Sequence, residues 1–153
     1  MTPKDSDTLG AIRKFLLAAV VISLIGTEIE LLILAHVTPL LQLLPVFLIA
    51  VALVSLLWYA LARNDQSLRL FQGTMVACIA SGLIGVVVHL ASSAAAETKK
   101  DPSLSGMKLI RISLTGKAPP LAPAVMIQIG LVGLAYTFRH PLLGDSAKET
   151  RRL

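Results

Sequence analysis

Cysteine, aromatic residues and charge are all scarce in this 153-residue chain, and each shortage removes a class of answers. The one cysteine, Cys78, lies inside an apolar run, so there is neither a disulfide framework nor a CxxC motif for metal or redox chemistry. A small packing residue is the reading it receives. Charged residues make up 15% and hydrophobic residues 55%, a balance that excludes disorder and is unlike an ordinary soluble globule. Aromatics reach only 5%, so a lipid-facing surface must rest on Leu, Ile, Val and Ala. The formal net charge of +5 does not point to nucleic acid, because no basic helix or aromatic-interleaved patch is present. HExxH, P-loop and GxSxG patterns are missing too, and no paired carboxylates sit on a soluble scaffold. The expectation is a protein that is not an enzyme.

What the chain has instead is four long apolar runs, at about 15–36, 41–62, 69–92 and 120–138. Each is long enough to cross a hydrocarbon core of ~30 Å at ~1.5 Å per residue. The fold class expected is an all-α membrane protein, four transmembrane helices in an up-down-up-down bundle. Residues 1–12 and 141–153 are read as cytoplasmic tails around one transmembrane domain, 13–140. Arg13 and Lys14 precede the first run as they would a signal peptide, but the run is too long and no small-x-small cleavage site follows, so it is read as a retained span. Trp58 and Tyr59 beside Arg63 read as an interfacial anchor, and His140 before Pro141 as an interfacial residue. Asn64, Asp65 and Gln66 make the turn between spans two and three.

The connection 93–118 is the only sizeable extramembrane piece. Asp101-Pro102 reads as a helix start and Gly116 as a stop. Leu104, Met107, Ile110 and Leu114 recur near helical spacing, which suggests a short amphipathic surface helix over 102–115. The alternation in KLIRISL leaves a strand open there. Nine basic residues fall on the side of the tails and of the second connection, against five in 93–118. That asymmetry places both termini in the cytoplasm, with the protein in a plasma or bacterial inner membrane.

Two carboxylates, Glu28 and Glu30, interrupt the first span, where an ionisable residue is a functional-site candidate by default. At ~100° per residue they point nearly opposite ways. Glu30 shares a small, polar stripe with Ala19, Ser23, Gly26 and Thr27, the composition that helix contacts in lipid prefer. It is therefore expected to face the bundle, whereas Glu28, among Val21, Ile25 and Leu32, is expected to meet a partner chain if anything. Span three has a matching stripe, with Cys78, Ser81, Gly82 and Gly85 for helix packing and His89 near its outer end. Gly130 and Gly133 of span four suggest a second contact face. If the stripes of spans one and three meet, Glu30, His89 and Gln128, joined by His36, form an intramembrane polar layer in the outer half.

The favoured function is a non-enzymatic structural or accessory subunit whose polar layer keeps helices in register. Two alternatives stay open: a carrier of protons, metal ions or a small solute through Glu30 and His89, and a b-type haem protein ligated by His36 and His89. No residues are assigned to a metal, and haem b or a divalent metal remain the cofactors to test. The partners expected are the lipid bilayer and a second copy or a larger membrane complex, not nucleic acid.

Overall fold

The computed structural model describes residues 3–33, 43–115 and 123–143, and every described element is helical. The order is α1 (Pro3–Ile33), α2 (Leu43–Ala62), α3 (Asp65–Lys100), α4 (Gly106–Leu114) and α5 (Ala124–Thr137). By length and composition α1 from Asp7, α2 and α3 are each able to cross a membrane. The fourth apolar run forms a shorter helix than expected. With 14 residues, α5 spans ~21 Å, less than the ~30 Å of a hydrocarbon core.

The segments read as tail and loop are also more helical than their polarity suggests. From Pro3 onward the N-terminal tail is already α1, with proline tolerated in the first turn. At the other side, α3 continues through SSAAAETKK, reaching ~54 Å in all. Alanine is the best helix former, and Lys99 and Lys100 suit the negative end of the helix dipole. Asp101 does not start a helix; its side chain accepts from Ser103 N at 3.0 Å and from Ser103 Oγ at 2.6 Å, closing a local turn. Residues 106–114 are helix and not strand, with Gly106 at φ 58°, a conformation glycine takes without steric cost. Gly116, His36 and the residues after Leu143 lie outside the described residues.

The α2–α3 link is tight. Arg63 turns the chain at φ 49°, and Asn64 caps α3 by accepting from Ser67 N at 2.9 Å. Asp65 occupies the first turn of α3, where the dipole favours an anion, and pairs with Arg69 at 3.2 Å.

α3 is the centre of the packing, meeting α2 on one side and α5 on the other; α1 packs on α5 and α2. The core is built from Val20 and Leu24 of α1, Ile49 and Ala52 of α2, Leu68, Phe71, Met75 and Cys78 of α3, and Met126 and Ile129 of α5. Glycines set the distance between α3 and α5. A Cβ on Gly82 would stand 2.7 Å from Ile127 Cγ1 and 3.0 Å from the Pro123 carbonyl; one on Gly85 would stand 2.7 Å from Pro123 Cβ. From the other side, a Cβ on Gly130 would lie 2.6 Å from the Met75 carbonyl oxygen, and one on Gly133 would overlap Met75 Sδ. The two helices run antiparallel, from Gly85 beside Pro123 to Gln72, whose Nε2 donates to Thr137 Oγ1 at 3.1 Å. Cys78 is buried in this seam and Ser81 half-buried at its edge.

Candidate functional site

The residues expected to form a polar layer are not brought together. Glu30 and Gln128 are exposed, His89 is half-buried, and no hydrogen bond joins them among the described residues; His36 lies outside these. α1 is rotated by about a quarter turn from expectation, so that its buried face lies between the Glu30 side and the Glu28 side. Val20, Leu24 and Thr27 are buried, which carries Glu28 toward the core and leaves Gly26 and Glu30 outside. Valine and leucine at positions 20 and 24 bury more apolar surface than the small stripe can, which favours this rotation. One Glu28 oxygen, Oε2, is buried without a partner among the described residues. Because α1 packs on α5 and α2, the small stripe of α3 is filled by α5 instead.

The best-formed site lies at the opposite end of the helices. A cavity of about 590 Å³ opens between α1 from Arg13 to Val21, the end of α2, and Tyr136 and His140 at the end of α5 and just beyond it. Its rim carries Arg13, Lys14 and Arg63, with Tyr59, Tyr136 and His140 beside them. Its depth is apolar, reaching Val21 and Leu53. From Arg13 to Val21 the wall runs ~12 Å along the helix axis. No carboxylate lines it, and among the described residues none of the three cations pairs with one.

Local backbone geometry assembles this rim. Both α2 and the turn after α5 pass through an arginine in the left-handed region, Arg63 at φ 49° and Arg139 at φ 48°. Glycine is the usual residue there, and an arginine carries a steric cost of about 1 kcal/mol. Of the two, Arg63 lines the cavity with its side chain, whereas Arg139 contributes through its backbone carbonyl. The turn at Arg139 offers its carbonyl to Arg13 Nη2 at 2.7 Å, tying the start of α1 to the end of α5. His140, 9% exposed, then packs edge-on against Tyr59 and Tyr136, with ring centroids 5.7 and 6.0 Å apart.

Tyr59 Oη and His140 Nε2 are 3.3 Å apart. When the phenol donates, the proton of the neutral imidazole sits on Nδ1. That nitrogen is buried and has no partner among the described residues. Burial, and then the nearby charge of Arg13, hold the His140 pKa below its ordinary 6.5, so the ring is neutral at pH 7.

No protein family, curated protein or solved structure matches the chain. The site is therefore read from its own chemistry. Among the described residues no three His, Cys, Asp or Glu side chains cluster as a metal site would require. Fixed cations over an apolar slot attract negative charge and accept hydrocarbon, and neither action needs a nucleophile. Sequence reasoning took Tyr59 and His140 for separate boundary residues. The signal in the sequence is that Arg13 precedes the first apolar run while Tyr59 with Arg63 and Tyr136 with His140 close the second and fourth, which antiparallel crossings bring to one end of the bundle.

Proposed function

We propose that the chain is a non-enzymatic accessory subunit of a membrane assembly, which joins its partner through the outward face of α1. Four crossings are proposed, by the apolar runs 15–36, 41–62, 69–92 and 120–138, up-down-up-down, with both termini in the cytoplasm. The orientation rests on the basic asymmetry of the connections.

The observation that carries the reading is Glu30 exposed beside Gly26, with nothing within 4 Å of where a Gly26 Cβ would stand. Ala19 and Ser23 extend the same side of the helix, half-buried. A stripe of small residues lets another helix come close, and a carboxylate facing hydrocarbon is costly without a partner. The described helices leave Gly26 and Glu30 uncovered, and a second chain would satisfy both needs. A larger complex and a second copy are both served by the same geometry.

Site-directed cross-linking tests the reading. Gly26→Cys in a Cys78→Ala background, oxidised or treated with a short bifunctional reagent in native membranes, is expected to give a discrete cross-linked species. Val87→Cys, on an exposed face of α3, is the control. Equal cross-linking at both positions, or none at Gly26, would sink the proposal.

A further inference from the structure

We propose that the cavity at the Arg13–Arg63 end is a binding site for one anionic lipid of the surrounding bilayer, headgroup on the basic rim and acyl chain against Leu17, Val21 and Leu53. The volume of about 590 Å³ lies within the ~300–1,000 Å³ of ordinary small-molecule sites. Polarity is graded along it in the sense a bilayer lipid requires. Arg63 stands just past the end of α2, and Arg13 and Lys14 lie about three turns into α1, where its apolar run begins, at the level of headgroups for helices that cross; the apolar wall continues toward the bilayer middle.

Charge selects the headgroup. Three fixed cations with no lining carboxylate favour an anion over a zwitterion. Arg63 presents a planar fork matched to a phosphate, and Arg13 keeps free donors beyond the one given to Arg139. His140 adds direction. With Tyr59 donating to Nε2, its buried Nδ1–H is a donor that the described residues leave unused, and a phosphate or carboxylate oxygen would complete it. The strained Arg63 fits the same picture, because a glycine at position 63 would relax the turn and remove a rim cation.

The test uses the full chain, purified in a zwitterionic detergent and reconstituted in phosphatidylcholine discs containing a small fraction of phosphatidylglycerol. Lipid retained through re-purification is measured by mass spectrometry. Phosphatidylglycerol should be enriched over phosphatidylcholine. Arg63→Gln should lower that enrichment about fivefold, the ~1 kcal/mol that one basic side chain contributes toward an anionic lipid surface. Ala60→Trp is the discriminating variant, since Ala60 is exposed and lines the slot, so the indole fills the slot without altering charge. It should abolish enrichment, whereas general surface attraction would survive it. Inorganic phosphate at millimolar concentration should not displace the lipid. Equal retention of the two lipids, enrichment that survives Ala60→Trp, or full displacement by phosphate each overturns the proposal. Both substitutions are at exposed positions, and unchanged melting in detergent identifies loss of binding as distinct from loss of fold.

Discussion

Replacing Gly130 with alanine adds one methyl group, yet two opposing effects of similar size decide its outcome. In the interior of a helix, alanine is favoured over glycine by about 1 kcal/mol. At Gly73, where a Cβ would meet nothing within 4 Å, that preference acts alone, and Gly73→Ala should stabilise the protein. At Gly130 the new Cβ would stand 2.5 Å from Ile79 Cγ1 and 2.6 Å from the Met75 carbonyl oxygen. Ile79 has rotamers to move through; the Met75 carbonyl belongs to the hydrogen-bonded backbone of α3 and does not. α5 must therefore withdraw by roughly 1 Å, loosening the contacts of Met126 and Ile129. Overpacking of this kind costs about 1–3 kcal/mol, which exceeds the propensity gain over most of its range. Gly130→Ala is thus expected to be neutral to destabilising by about 2 kcal/mol, and Gly130→Leu to be worse. Thermal unfolding of the two alanine variants side by side in one detergent measures the difference. Equal stabilisation by both would refute the reasoning, since it would mean that α5 does not lie against Met75 at this distance.

Glu28→Leu should leave the isolated protein as stable or raise its stability by about 1 kcal/mol, because an unpartnered buried polar atom costs ~1–3 kcal/mol. Glu30→Leu, at an exposed position, should shift it by less than about 0.5 kcal/mol; a collapse of the second variant alone would restore the expected rotation of α1. His140 is held neutral in the fold, so the unfolded chain takes up its proton first on acidification. Its contribution is therefore fully present above pH 6.5 and is lost as the pH falls from there toward the lower folded value. His140→Phe should flatten that part of a melting-temperature profile against pH. An unchanged profile would remove the histidine from the account. Asn64→Ala should cost about 1 kcal/mol through the lost cap on Ser67 N, read by the same melting assay.

Apolar runs longer than 18 residues announce membrane-crossing helices, and α1, α2 and α3 follow from them directly. Helix ends are harder to read, because a polar segment is equally consistent with a loop and with an exposed helix. SSAAAETKK is polar but alanine-rich, and propensity carries α3 through it. The rotation of α1 was misjudged for a related reason. A small, polar stripe marks a contact in lipid, but it does not say with whom, and Val20 and Leu24 compete for the same interior. Gly82 and Gly85 were visible as a close-approach face, yet only the fold shows that α5 fills it. The rim of the cavity was least legible of all. Arg13 meets the carbonyl of Arg139 across 126 residues, and a left-handed arginine carries no sequence signature.

The proposed crossing of α1, α2 and α3, with the basic cavity on the cytoplasmic side, is tested directly by side-specific labelling. Single cysteines at Ser6 and at Thr98, in a Cys78→Ala background, are treated in intact cells with a membrane-impermeant maleimide and again after lysis. Thr98 lies on an exposed turn of α3 near its Lys100 end. The account predicts labelling of the position 98 variant in intact cells and of the position 6 variant only after lysis. Labelling at position 6 but not at 98 would invert the protein and move the cavity to the outer leaflet; labelling of both in intact cells would contradict the crossing of α1, α2 and α3 as a set.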